Sequence, residues 1–245
     1  MIKAVFFDID GTLVSFKTHV VPKSTLHAIE LLKKKGIKVF IATGRHRRSI
    51  NNLGDLEFDG YVTLNGGYVF AGKDDVIYKH SIPDKDIEAL VRYQEKEGEF
   101  PCAFVQEDEI FMNYTDKAVN DVFHLLNFPA PPIRPIEDIY GKTVYQLIAF
   151  FTAEQEKRIM KVLSHCESTR WNPLFIDIVP LGSSKRVGID KMLEHYHIGL
   201  DECMAFGDGG NDIQMLSHVG IGVAMGNASD HVKAAADEVT LTNEQ

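Results

Sequence analysis

Cysteine is scarce in this chain: Cys102, Cys166 and Cys203 are the three among 245 residues, and no two form a C-x-x-C pair. So sparse and odd a set excludes a disulfide framework and a zinc ribbon, and points to reduced thiols in a cytoplasmic compartment. Long apolar runs are missing as well. None approaches the roughly 18 residues needed to span a bilayer, and the N-terminus meets Asp8 too soon for a secretory signal. Positive charge is in the minority, with 26 Lys and Arg against 35 Asp and Glu and a net charge of −9. A chain of this balance offers no general field to nucleic acid or anionic lipid, so any anion it binds is held by local groups. Internal repeats and low-complexity tracts are also absent. What is present is an ordinary globular composition, 44% hydrophobic and 25% charged, long enough for one large domain or two modest ones. The expectation is a monomer or weak dimer with no nucleic-acid or membrane partner.

The most telling stretch runs from Ala4 to Leu13. Four apolar residues lead into Asp8, a second acid follows at Asp10, and then comes Gly11. The run reads as a buried strand of a parallel sheet, and ligands of open α/β sheets sit beyond the carboxyl ends of such strands. Residues two apart on extended backbone point the same way. Asp8 and Asp10 are therefore expected to share a small volume that needs a cation or a proton. A plain surface turn is the competing reading, because Asp and Gly are ordinary turn residues.

Downstream, Pro22 to Lys35 predicts a helix and Ile37 to Ala42 a second strand, a β-α-β unit that implies parallel strands. Thr43-Gly44-Arg45 then lies at the same sheet edge as Asp8. The Thr43 hydroxyl can donate to an anionic oxygen, and the Gly44 and Arg45 amides are expected to open a helix there, where anions are favoured. A simple helix N-cap is the alternative for Thr43. Arg45 is the member of the basic run Arg45 to Arg48 placed to face the site; Arg47 and Arg48 read as a solvated face. Phe58 to Leu64 predicts a strand ending at Asn65-Gly66-Gly67, followed by a hairpin.

From Ile82 the pattern changes to hairpins mixed with helices, among them a helix from Asp116 to Leu126 and a strongly apolar strand from Thr143 to Phe151, which suggests an α+β module inserted into the α/β domain. The expected organisation is a discontinuous core, residues 1–81 and 182–245, around an inserted unit, 82–181. Trp171, Asn172, Phe175, Asp177 and Asn113 are its possible substrate contacts, with core packing the better reading for Trp171 and Phe175. The core then resumes with Lys185, a helix from Val187 to Tyr196, and the strand Cys203 to Phe206. That strand ends in Gly207-Asp208-Gly209-Gly210-Asn211-Asp212. Three or four carboxylates at one sheet edge call for a hard cation, and oxygen ligands without clustered His or Cys favour Mg²⁺ over zinc. Asp212 has a second reading, as the cap of the next helix.

The ordered set Asp8-Ile9-Asp10-Gly11-Thr12, Ala42-Thr43-Gly44-Arg45, Lys185 and Gly207 to Asp212 resembles the haloacid dehalogenase superfamily of phosphotransferases. Asn65-Gly66-Gly67, Ala224-Met225-Gly226-Asn227-Ala228 and Thr242-Asn243-Glu244 look like its Cof-type branch, subfamily IIB. Arg186 departs from the pattern, standing where a glycine commonly follows the lysine. The resemblance implies a Rossmann-like parallel-sheet core with an inserted cap of the C2B type. It also implies a Mg²⁺-dependent phosphatase whose partner is a phosphorylated small molecule, with sugar (hexose) phosphates the foremost class. Asp8 would be the nucleophile and Asp10 the general acid and base. The metal would lie on Asp8, the Asp10 carbonyl and Asp208, and the phosphate on Thr43, Gly44, Lys185 and Asn211. Arg45 and Asn65 would be substrate contacts, and Asp212 a support behind them. A sugar phosphomutase of the same branch and a receiver-like phosphoacceptor are the alternatives.

Overall fold

Each central strand of the sheet is a short run of apolar residues buried on both faces. In the computed structural model, residues 1–72, 74–125, 129–172 and 174–244 are described. They form two units, one from Met1–Lys79 with the chain from Ser183 onward, the other His80–Gly182. The first unit begins with β1 (Ala4–Phe7), α1 (Lys23–Lys34), β2 (Lys38–Ala42), β3 (Gly60–Thr63), β4 (Tyr68–Ala71) and β5 (Asp75–Lys79). The second holds α2 (Asp84–Glu97), β6 (Cys102–Val105), β7 (Ile110–Met112), α3 (Lys117–Leu125), β8 (Gln146–Ala149), α4 (Ala153–Val162), β9 (Cys166–Asn172) and β10 (Phe175–Pro180). The first unit resumes with α5 (Lys185–Tyr196), β11 (Cys203–Gly207), α6 (Ile213–Leu216), β12 (Ile221–Ala224), α7 (Asp230–Lys233) and β13 (Glu238–Val239).

The first unit is an eight-stranded sheet in the order β13-β12-β11-β1-β2-β3-β4-β5. Strands β13 through β3 run parallel, and β4 and β5 close the edge as an antiparallel hairpin. Alternation explains why β1 has no polar residue. Ala4 and Phe6 join Phe40, Ala42 and Val62 under Ile189, Met192, Met215 and Leu216 from α5 and α6. Val5 and Phe7 join Val39 and Ile41 on the opposite face, with Ile29 of α1, Leu53 and Phe58. With both faces covered, every side chain of the strand is apolar. This is the α/β, doubly covered parallel sheet expected from the sequence, with an inserted α+β unit.

The inserted unit is a five-stranded antiparallel sheet, β7-β6-β8-β10-β9. Phe104, Leu147, Ile176 and Ile178 pack with Leu90 and Val91 of α2 and Ile159 of α4. Ala103, Phe150 and Phe175 pack with Val119 and Val122 of α3 on the other face. Phe175 is thus a core residue. Asn113, a possible substrate contact on sequence grounds, is a structural hub instead. Its Oδ1 accepts from the Cys102 and Tyr114 amides, and its Nδ2 donates to Gln94 Oε1 and the Phe100 carbonyl. The side chains of Trp171 and Asn172, and Leu126 at the end of its expected helix, lie outside the described residues. Among the described residues no helix is long and apolar enough to cross a membrane.

Three local expectations change. No α-helix follows Thr43; there is a single 3-10 turn, Arg47–Ser49, with His46 Nδ1 accepting from the Arg48 amide. The sequence after it, Asn51 to Gly54, carries no apolar period and two helix-poor asparagines, so nothing sustains further turns. The apolar run Thr143 to Phe151 supplies only the four ladder residues of β8. Helix α5 starts two residues early, because Ser184 caps it by accepting from the Val187 amide at 3.3 Å; Lys185 therefore sits in its first turn.

Candidate active site

Extended backbone stops at Phe7, so strand alternation does not align the two acids. A tight loop does. The Gly11 amide donates to the Val14 carbonyl at 2.9 Å and the Val14 amide to the Ile9 carbonyl at 2.8 Å. Gly11 takes φ +90°, and a Cβ there would lie 2.1 Å from Asp208 Oδ2. Only glycine fits both the conformation and the space.

Asp8 continues the line of β1, its amide donating to the Phe206 carbonyl of β11 at 3.0 Å. The residue is 6% exposed. Lys185 Nζ donates to Asp8 Oδ1 and to Asp212 Oδ1, both at 2.6 Å. Asp8 Oδ2 has no hydrogen bond among the described residues. Burial pushes the Asp8 carboxyl well above the ordinary carboxylate range; Lys185 pulls it down, and Asp212, Asp208 and Asp10 raise it further. Lys185 itself is fully buried. Burial works against its charge, but Asp212 and Asp8 outweigh that and raise its proton affinity above the usual lysine value.

Asp212 does not cap α6. Its Oδ2 accepts from the Asp208 and Gly209 amides at 3.0 and 2.8 Å, so one carboxylate holds both the lysine and the loop that carries Asp208. Among the described residues Asp208 receives only neutral donors: Thr12 Oγ1 at 3.1 Å on Oδ1 and Asn227 Nδ2 at 3.2 Å on Oδ2. Burial, with Asp212 and Asp10 adding to it, pushes its carboxyl up to about 7 against the lowering by Thr12 and Lys185.

Asp10 is gripped from the other side. Arg45 Nε and Nη2 donate to its two oxygens at 2.6 and 2.5 Å, and Nη1 donates to the Ser49 carbonyl at 2.8 Å. Such a fork on a carboxylate is directional as well as strong. Arg47, by contrast, spends its charge on Asp74 and lies over the Phe70 ring. Thr43 is 1% exposed, and its hydroxyl oxygen accepts from the Arg45 amide at 3.1 Å across Gly44. Its hydroxyl hydrogen has no acceptor among the described residues. Asn65, at φ 50°, accepts from Asn211 Nδ2 at 2.9 Å. The turn it belongs to is pressed onto the start of α5, where a Cβ on Gly66 would lie 2.0 Å from the Ser184 carbonyl oxygen. Asn65 is thereby a turn residue that also ties the β3 end to the Asp208 loop.

The sheet edge thus gathers four carboxylates and two cations, Lys185 and Arg45, leaving two negative charges without a partner. Ligand oxygens of Asp8, Asp208 and Asp212 lie within 4.8 Å of one another. All are hard oxygen donors, and the raised proton affinities of Asp8 and Asp208 mark charge that a divalent cation would balance. The residues present fit Mg²⁺. Asp212 has one oxygen on the Lys185 ammonium and the other on two backbone amides, whereas Asp208 takes a single neutral donor on each oxygen and Asp8 keeps one oxygen without a donor among the described residues, so Asp8 and Asp208 are the members with capacity left.

Asn227 and Thr12 are the residues whose task the motif reading did not assign. Each had a signal, an Asn three residues past the end of β12 and a Thr inside the Asp-Gly-Thr turn, but neither reveals its partner without the fold.

The family described as haloacid dehalogenase-like hydrolase matches residues 5–245. A solved structure of a HAD subclass IIB sugar phosphatase superposes with a TM-score of 0.93, at 46% identity over 99% of this chain and 94% of that one. A Bacillus subtilis (strain 168) protein provisionally named phosphatase YkrA is 35% identical over 97% of this chain and 91% of its own length. The 5-amino-6-(5-phospho-D-ribitylamino)uracil phosphatase YitU of the same organism is 31% identical over 98% of this chain and 93% of its own.

Proposed function

The chain belongs to the haloacid dehalogenase-like hydrolases and is a phosphatase, and from that premise we propose that it hydrolyses small phosphate monoesters, sugar (hexose) phosphates foremost, with Mg²⁺ and through an aspartyl-phosphate. One observation carries the reading: Asp8 has one oxygen pinned by a buried lysine and the other without a donor, at the carboxyl end of a central strand. A carboxylate so placed is oriented for attack without being consumed by hydrogen bonds.

Asp8 Oδ2 attacks phosphorus and the P–O bond to the alcohol breaks. Asp10, with a proton on one oxygen in place of one of its two Arg45 contacts, gives that proton to the departing alkoxide. Asp10 then takes a proton from the water that attacks the aspartyl-phosphate, releasing phosphate and restoring the Asp8 carboxylate. Lys185, Thr43 and the Gly44 amide bind the transferring oxygens, and Asn211, held by Asn65, orients them. Arg45 holds Asp10 in place beside the reacting group, where it also borders a bound substrate. Asp8, the Asp10 carbonyl and Asp208 would hold Mg²⁺, which supplies the charge neutralisation an anionic nucleophile needs against an anionic phosphate. Asp212 supports them by fixing Lys185 and the Asp208 loop. The sugar class is supported by the 46% identity to a sugar phosphatase.

A panel of phosphorylated metabolites, assayed for released phosphate with Mg²⁺, tests the reading. Sugar phosphates should be among the best substrates, and Asp8→Asn should release none. Turnover like wild type in Asp8→Asn defeats the nucleophile assignment. Isomerised sugar phosphate with little free phosphate would make the enzyme a mutase.

A further inference from the structure

The two sequence stretches that the reaction leaves unused, around Asn227 and around Asn243, meet at one place in the first unit. Asn227 Nδ2 donates both to the Gly11 carbonyl, at 2.9 Å, and to Asp208 Oδ2, at 3.2 Å. One amide thus bridges the loop that carries Asp8 and Asp10 to the carboxylate at the end of β11. The Asn227 side chain is itself oriented, because its Oδ1 accepts from the Asn243 amide at 3.2 Å. The chain on either side of Asn243 then runs along the same loop. Asn243 Nδ2 donates to the Val14 carbonyl at 3.4 Å. Glu244 Oε1 accepts from the Ser15 hydroxyl at 2.8 Å, and Glu244 Oε2 from Lys17 Nζ at 2.7 Å. Ser15 is 2% exposed and its oxygen accepts from the Lys17 amide at 3.0 Å, so the contact is fixed at both ends. The polypeptide enters this clasp through a turn in which the Gly226 amide donates to the Leu241 carbonyl at 3.0 Å.

We propose that Asn227, oriented by residues 243–244, is a positioning residue for the metal centre: it locks the Asp208 carboxylate and the Asp8–Ser15 loop in register before a cation arrives. The inference rests on the reading of Asp208 as a metal ligand. Three geometric facts carry it. Asp208 has a neutral donor on each oxygen, Thr12 on one and Asn227 on the other, so its rotation is stopped from both sides. Both donors also belong to or hold the loop bearing the acid pair, so carboxylate and loop cannot move independently. Among the described residues no cationic group hydrogen-bonds to Asp208, which leaves its charge for a divalent ion, whereas a lysine in the place of Asn227 would cancel it.

The test is direct binding of Mn²⁺, as the probe for a divalent site, to the full chain by titration calorimetry, beside melting curves taken in chelator. Asn227→Ala should weaken Mn²⁺ binding about tenfold while the metal-free melting temperature stays close to wild type. Glu244→Ala, which removes the acceptor of Ser15 and leaves the segment held by Asn243 alone, should weaken it about threefold. Glu244→Gln keeps the acceptor for Ser15 and loses only the exposed ion pair with Lys17, so it should bind as wild type does. Unchanged Mn²⁺ affinity in Asn227→Ala and Glu244→Ala overturns the clasp, as does equal loss in Glu244→Ala and Glu244→Gln. If Asn227→Ala does not fold, the Glu244 pair decides. A wild-type chain that binds no Mn²⁺ overturns the metal reading of the site and the clasp with it.

Discussion

Both units bury polar side chains, but they use them in opposite ways. In the inserted unit the polar side chains of known contacts are spent mainly on backbone groups and on one another. Asp86 accepts from the His165 amide at 2.8 Å and its ring at 3.0 Å, and Asn113 closes four hydrogen bonds around β6. In the first unit Asp8, Asp208 and Asp212 are brought close enough to repel, with one buried lysine between two of them. The inserted unit spends its buried polarity on stability. The first unit gives some stability up to hold charge at one sheet edge, the ordinary signature of a reactive site.

Four measurements sharpen this contrast. The largest effect belongs to Asp8→Asn, which should lower turnover by on the order of 10⁴-fold or more while folding normally; released phosphate and a melting curve check both halves. Lys185→Met leaves Asp8 and Asp212 facing each other without their shared cation. It should cost about 3–5 kcal/mol of stability in denaturant melts and abolish turnover as well. Intact stability in that variant would deny the lysine its bridging role.

The third concerns pH and metal. Asp8 and Asp208 bind their protons more tightly folded than unfolded, Asp208 up to about 7. The Asp208 contribution to stability is therefore complete below about pH 4 and is lost as pH rises through 7, and Asp8 adds to it in the same direction. In chelator the protein should lose on the order of 2–4 kcal/mol from this source between those limits, and Mg²⁺ should restore much of it at pH 7.5. Melting in chelator that is flat over this range would contradict the charge imbalance. The smallest effect is expected in the inserted unit. Asp86→Ala strips the His165 amide and ring of their acceptor and should cost about 2–3 kcal/mol, with turnover of a small substrate unchanged. A variant that lost turnover without losing stability would erase the distinction between the units.

The core was largely legible because its information is local. Four apolar residues before Asp8 and four before Asp208 name buried parallel strands, and acids at their ends are placed by the sheet itself. Thr43 and Lys185 followed from the same logic. Less visible was anything set by pairing across the fold. Arg45 was recognisable as facing the site, yet nothing in its neighbours says that its fork closes on Asp10. The helix expected after Thr43 failed because a basic run at a strand end looks like a helix start even when no apolar face follows. Asn113 looked available for substrate because its hairpin gives no hint of Gln94, which lies on a helix 19 residues earlier. Asn227 showed its motif but not its two partners, one 216 residues away.

That separation has a consequence for the newborn chain. Strand β1 is emitted first but lies between β2 and β11, so one of its two edges stays open until residues 203–207 have left the ribosome. The inserted unit, made of one continuous segment, is complete by then and can fold while the strand on which everything else depends still waits for its neighbour. Until Lys185 emerges, Asp8 is also without its cation. Synthesis of residues 185–207 therefore both closes the second edge of β1 and brings the charge that lets Asp8 be buried.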